Sequence, residues 1–188
     1  GDGVLGQMME PVTLPDIEFK QVDKPWALTG AQGRPGKVIR SLYMLPGEEC
    51  ALERQNYKLK AKYDRMAERE VMCETLLIED AELVLVAFGT SARIAKTAVH
   101  LARAEGIKAG LIRPITLFPF PEKIIAKTAE TVERFLVVEM NMGQMVEDVR
   151  LAVNGRAGVS FYGRPGGAIL AVEDILTAMR NLECEVPS

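Results

Sequence analysis

AELVLVAFGTSARIAKTAVHLARAEGIKAGLIRPITLFPFP, residues 81–121, reads as strand, turn, helix, turn, strand and a proline-locked exit. Residues 83–88 are apolar throughout, which suits a strand buried on both faces, as in a parallel sheet covered by helices. Gly89-Thr90-Ser91 breaks that run with a flexible turn residue and two hydroxyls able to accept the first N–H groups of a helix. Ile94, Ala95, Ala98, Leu101 and Ala102 then share one face at helical spacing, Lys96, His100 and Arg103 fall on the other, and Gly106 sits where the helix should stop. A second strand over residues 107–112 follows, ended by Arg113-Pro114, because proline cannot donate to a ladder. Two buried strands joined by such a crossover form a βαβ unit, which is right-handed in nearly all cases.

Downstream the pattern repeats. Pro121 opens a helix whose inner face is Ile124, Ile125, Thr128, Ala129 and Val132, and residues 135–140 form another continuous apolar strand. Asn141-Met142-Gly143 turns into a helix stopped by Asn154-Gly155; a short strand at 159–162, a loop at 163–167 and a closing helix over 171–181 complete the chain. Upstream, residues 71–78 alternate in the manner of a half-buried edge strand. Residues 48–69 place Leu52, Leu59, Tyr63 and Met66 at three- and four-residue steps among charges, an amphipathic helix that lies on a surface. Residues 1–46 are punctuated by five prolines and read as an extended arm with one strand candidate at 37–45. The expected organisation is therefore an arm (1–46), a linker helix (47–70) and one α/β domain (71–188).

Composition narrows the function classes. A chain of 188 residues with net charge -3 carries no basic field for nucleic acid, and no run is long and apolar enough for a membrane helix. Cys50, Cys73 and Cys184 are odd in number, far apart and without CxxC spacing, so neither a disulfide framework nor an iron–sulfur or zinc site is encoded. That cysteine usage is the reading of a reducing, cytoplasmic compartment. The chain opens on Gly1 and mid-phrase, as a piece of a longer protein would.

Chemistry-bearing motifs are few. Gly1-Asp2-Gly3 resembles the start of a magnesium and diphosphate site, but the Asn pair that should complete it is absent downstream. The loop at 30–36 lacks both GxGxxG spacing and a preceding buried strand. Gly-Arg-Pro-Gly occurs at Gly33 and again at Gly163 with unrelated flanks. His100 is the single histidine, so neither a metal cluster nor a Ser/His/Asp hydrolase has its parts. Glu139, at the carboxyl end of a buried strand, is read as hydrogen-bonding to the next helix or to a partner ahead of acid–base work, and Met140, Met142 and Met145 as core or interface filling. Gly89, Thr90 and Ser91, with Arg113, mark the one candidate anion site, at a helix start beyond the end of a central strand, where open α/β sheets bind ligands. An ordinary helix cap is the competing reading. No catalytic residue and no metal ligand is assigned.

Arg113-Pro114-Ile115-Thr116-Leu117-Phe118-Pro119-Phe120-Pro121, between a βαβ unit and a helix, resembles a segment of the α subunits of 2-oxoacid:ferredoxin oxidoreductases. GDGVLGQMMEPV at 1–12, Trp26-Ala27-Leu28-Thr29-Gly30, the strand and turn of 81–93 and VRLAVNGRAGVSFYGRPGG at 149–167 carry the resemblance over nearly the whole chain. It implies a three-layer α/β/α domain like the carboxyl-terminal domain of transketolase, with a five-stranded, mostly parallel sheet of order 1-3-2-4-5 and one antiparallel edge strand. Residues 1–12 would be the tail of a preceding pyrimidine-binding thiamine domain. The implied role is a non-catalytic assembly domain. Its holoenzyme converts a 2-oxoacid, coenzyme A and ferredoxin to acyl-CoA and reduced ferredoxin, using thiamine diphosphate, magnesium and iron–sulfur clusters held on other subunits or domains. The likeness is nearest to enzymes of 2-oxoisovalerate, then 2-oxoglutarate, then pyruvate. The alternatives are an anion or coenzyme A binding module and, last, a flavodoxin-like or receiver-like regulator.

Overall fold

The computed structural model describes residues 9, 11–31, 33–36 and 49–184, the side chains of 183 and 184 excepted. Five strands, β1 (Cys73–Leu76), β2 (Leu83–Ala87), β3 (Ala109–Pro114), β4 (Arg134–Glu139) and β5 (Gly158–Gly163), form one sheet of order β1-β3-β2-β4-β5. β2 pairs parallel with β3 and with β4, β4 pairs parallel with β5, and β1 runs antiparallel to β3 with Cys73 opposite Pro114. This is the strand order and the antiparallel edge expected above.

The two-residue period of the strands divides the core into two halves. Leu83, Leu85, Leu111, Leu136 and Val138 face helix α2 (Gly89–Ala104) and helix α5 (Val172–Cys184), where Ala98, Val99, Ala102, Ile175 and Met179 meet them. Val84, Val86, Ile112, Phe135 and Val137 face helix α3 (Glu122–Thr128) and helix α4 (Met145–Val153), through Ile125, Val146, Val149 and Val153. Every residue of β2 is buried, which is why this strand reads as a continuous apolar run. Each aliphatic side chain so enclosed contributes about 1.5–3 kcal/mol. Both faces of the central strands are thus covered by helices of the same chain.

Some local expectations shift. Leu101, expected on the inner face of α2, is 45% exposed, and Val99 takes that place. The edge strand is four residues long, shorter than the 71–78 alternation suggests, because Leu77 turns to a positive φ of 53°. Gly110 explains the tight approach there: a Cβ on it would stand 2.8 Å from the Leu77 carbonyl oxygen. Arg103, expected in solvent, bonds the Leu77 and Ala109 carbonyls at 2.8 and 2.6 Å and the Asp80 carboxylate at 2.7 Å, tying α2 to both neighbouring turns.

Ahead of the sheet, helix α1 (Ala51–Arg69) occupies most of the amphipathic stretch expected over 48–69. Ala51 is its one buried residue, and Tyr63 meets Phe118 edge-on with ring centroids 5.8 Å apart. Residues 11–31 and 33–36 carry no helix or strand, and Phe19 and Trp26 are largely exposed. The strand candidate at 37–45 lies outside the described residues, as does Gly1-Asp2-Gly3.

Candidate functional site

The candidate anion residues divide. Gly89 and Arg113 line a cleft of about 600 Å³ at the carboxyl ends of β2 and β3, on the α2 side of the sheet. Thr90 and Ser91 do not line it; they are buried in the first turn of α2 at 5% and 4% exposure. The reason is a helix that starts one residue earlier than the hydroxyls require. Gly89 is already its first residue, with the left-handed φ of 55° that glycine adopts without steric cost, and Phe88 is the N-cap, with no side-chain cap bond.

What the helix presents to the cleft instead is Arg93 and Lys96, one turn apart on α2. Arg113 faces them from the end of β3, ion-paired at 2.9 Å to its cross-strand neighbour Glu74. The outer-face reading of Lys96 holds, since the residue is exposed, but it missed this grouping. Its signal was the three-residue spacing of two cations on the helix that follows β2, with a third cation at the end of β3.

Glu139 sits at the end of β4 with 1% exposure. Its carboxylate accepts the backbone N–H groups of Met145 and Val146, each at 3.0 Å, that of Gln144 at 3.2 Å, and the Asn141 side-chain amide at 2.9 Å. An anion so placed satisfies the orphan donors of the first turn of α4 and complements its dipole. Gly143, with φ 101°, lets the connecting turn close, and its N–H bonds the Asn141 side-chain oxygen at 2.7 Å. Glu139 is therefore the cap of α4, the role weighed ahead of acid–base work.

A second cleft, of about 630 Å³, opens on the opposite side between the end of α1, the loop at 117–121 and the start of α3. Its rim carries Glu68, Glu122 and Asp148 against the single cation Lys123, and burial pushes the Cys73 thiol up from its ordinary pKa. Among the described residues no group of three or more His, Cys, Asp or Glu could hold a metal ion. Among the same residues no helix is long and apolar enough to cross a membrane.

Comparison with known proteins decides the family. Residues 81–175, half of the chain, match the family described as pyruvate:ferredoxin oxidoreductase core domain II. The chain belongs to this family. The matched span starts at Ala81, just before β2, and ends in α5, so core domain II corresponds to β2–β5 with their crossovers. The chain is 44% identical over 186 residues to the ketoisovalerate oxidoreductase subunit VorB of Methanothermobacter marburgensis, covering 98% of this chain and 51% of that protein. It is 28% identical to the 2-oxoglutarate synthase subunit KorA of the same organism, over 97% of this chain and 55% of the other. The chain thus spans about half the length of these curated relatives. A solved 2-oxoglutarate:ferredoxin oxidoreductase from Magnetococcus marinus superposes with TM-score 0.67 at 19% identity, over 82% of this chain and 28% of the other. A split-gene transketolase superposes with TM-score 0.51 at 18% identity, over 58% and 40%. At these identities the two structures speak for the fold, a transketolase-like core domain II.

Proposed function

We infer that this core domain II is the assembly half of an α-type subunit in a 2-oxoacid:ferredoxin oxidoreductase, and that the holoenzyme oxidises a branched 2-oxoacid, 2-oxoisovalerate foremost, to its acyl-CoA. The observation that carries the substrate is a contrast within one organism. Against two relatives from Methanothermobacter marburgensis, the chain is 44% identical to the ketoisovalerate subunit and 28% identical to the 2-oxoglutarate subunit, over nearly its whole length in both cases.

Assembly in place of catalysis is supported by what the domain does with its polar groups. Among the described residues the one buried carboxylate, Glu139, is committed to capping α4. Thiamine diphosphate, magnesium and the iron–sulfur clusters accordingly belong, in this proposal, to other subunits or domains of the holoenzyme, with ferredoxin as electron acceptor and the cytoplasm as compartment. The surfaces that fit subunit contacts are apolar and uncovered: Leu52 and Tyr57 on α1, and Ile115, Leu117 and Phe118 in the loop after β3. Residues 1–46 are assigned to the arm and the tail of a preceding thiamine domain, 47–70 to the linker, and 71–188 to the α/β domain.

A second substrate, 2-oxoglutarate, is kept by one observation: over 106 residues the chain is 40% identical to the KorA subunit of Methanothermobacter thermautotrophicus. Steady-state reduction of a viologen dye by the purified complex, with coenzyme A and each 2-oxoacid in turn, separates the two. The proposal expects kcat/KM for 2-oxoisovalerate at least tenfold above that for 2-oxoglutarate. The reverse order replaces the substrate, and no 2-oxoacid-dependent reduction removes the function.

A further inference from the structure

Helix α1 sorts its charges by side. Arg54, Lys58, Lys62, Arg65 and Arg69 follow one another at three- and four-residue steps, fall within an arc of about 80°, and make one stripe about 22 Å long. The carboxylates of the helix, Glu53, Asp64 and Glu68, all lie off that arc. Lys60, the remaining cation, bonds Asp64 at 2.9 Å. Among the described residues no carboxylate pairs with Lys58, Lys62, Arg65 or Arg69, and Arg54 donates to the Glu49 carbonyl at 2.8 Å, which leaves its charge unbalanced. A helix that meets only water gains from alternating opposite charges three or four residues apart, and like charges at that spacing repel. The stripe also faces away from the domain. Tyr63 meets Phe118, and Ala67 and Glu68 line the cleft beside the 117–121 loop, which fixes the inward side of α1. The five cations are centred opposite Ala67, and all are exposed. Beside them run Leu52, Leu59 and Met66, and this apolar stripe is poorly covered: Ala51 is the one buried residue of the 19, and Leu52 is 42% exposed. A helix of this length is marginal in water unless its apolar side is packed.

We propose that α1 is a docking helix for an acidic face of another subunit, whose carboxylates meet the cation stripe and whose apolar side chains cover Leu52, Leu59 and Met66. This deepens the assembly reading above, on which it rests, by giving the partner's chemistry. Charge complementarity carries it: α1 holds a surplus of three positive charges in a chain whose net charge is -3, so the rest of the chain nets -6 and the stripe is a local exception. Each guanidinium takes a carboxylate through two parallel bonds and each ammonium takes one as a point charge, so a partner offering about one carboxylate per turn fits. A lipid surface fits less well, because an interfacial helix buries its apolar side in the bilayer, whereas the outermost arc of α1 is the cationic one. A nucleic acid would meet the negative remainder of the chain.

Zero-length carbodiimide coupling of the complex isolated from native cells reads this contact, because it joins a lysine ammonium to a carboxylate only where the two touch. Mass spectrometry should find Lys58 and Lys62 joined to Asp or Glu of a different polypeptide, with the yield falling in high salt. Lys58→Glu combined with Lys62→Glu should cut recovery of that polypeptide roughly tenfold or more, and Lys123→Glu, beside the inward cleft, should not. Far-UV circular dichroism and the thermal midpoint of the purified chain establish that the double variant is folded. Coupling confined to carboxylates of this chain overturns the proposal, as does full recovery of the partner by the folded double variant. Binding to anionic phospholipid vesicles or to a single-stranded oligonucleotide that is lost in the double variant, with no coupling to another polypeptide, overturns the assignment of a protein partner. If the cross-links form in an isolate without 2-oxoacid-dependent dye reduction, the enzyme reading falls and the docking helix stands. An active complex without them keeps the enzyme reading and removes the docking helix.

Discussion

Replacing Glu139 with alanine tests whether one buried carboxylate holds the junction between β4 and α4. The side chain is 1% exposed and accepts four donors, of which the N–H groups of Met145 and Val146 belong to residues only 4% and 3% exposed. Each of these two donors, left without an acceptor, costs about 1–3 kcal/mol. Loss of the anion at the α4 dipole adds about 0.3–2 kcal/mol. Water entering the vacated space recovers part of this, so the net expectation is about 3–5 kcal/mol, a large share of the roughly 5–15 kcal/mol typical of a whole domain. Urea unfolding followed by circular dichroism reads the effect: with m near 1–3 kcal/mol/M, the midpoint should fall by about 1–5 M. Glu139→Gln retains one acceptor oxygen but no charge, and should lie between the wild type and alanine. Glu147→Ala on the same helix, whose pair with Arg150 is exposed, should change stability by no more than about 0.5 kcal/mol. A loss under 1 kcal/mol for Glu139→Ala, or one equal to that of Glu147→Ala, would refute the capping role.

Gly163→Ala should destabilise the same junction by about 1–3 kcal/mol, since its Cβ would stand 2.5 Å from the Asn141 carbonyl oxygen, which is backbone; the unfolding midpoint measures it. Gly110→Ala meets the Leu77 carbonyl at 2.8 Å and should cost a similar amount at the β1 edge. Arg103→Met removes the ties to Leu77, Ala109 and Asp80 and should lower the thermal midpoint. The bond from Arg103 holds the Asp80 carboxyl below its ordinary 3.8. A depressed folded pKa means a contribution present above 3.8 and lost as pH falls through the lowered value, so the gap between wild type and Arg103→Met should narrow as pH falls below 3.8. Phe118→Ala deletes the edge contact with Tyr63, and hydrogen exchange in α1 should quicken while that in β2 stays unchanged.

Much of the fold was legible because its cause is local periodicity. The all-apolar run of β2, the glycine breaks and the three- to four-residue spacing of the helices determine element type, and a buried βαβ unit has few arrangements open to it. The strand order came from the resemblance. What periodicity misreads is the detail of a helix edge: Leu101 and Val99 are both compatible with the apolar stripe of α2, and the position of α5 decides which is enclosed. Arg103 looked solvated because its acceptors are carbonyls, which leave no trace in side-chain identity. The candidate site was half legible for a related reason. Gly89 and Arg113 follow from strand ends, whereas excluding Thr90 and Ser91 needs the first residue of α2, and including Arg93 and Lys96 needs to know which side of α2 faces the β1 edge.

The central claim is that this core domain II works as part of a larger 2-oxoacid oxidoreductase, and affinity isolation of the chain from its native cells tests it most directly. The polypeptides in the isolate and their 2-oxoacid-dependent reduction of a viologen dye are read together. The account predicts further subunits in fixed proportion and dye reduction that requires coenzyme A and is fastest with 2-oxoisovalerate. A lone 20.7 kDa polypeptide without such activity would contradict it.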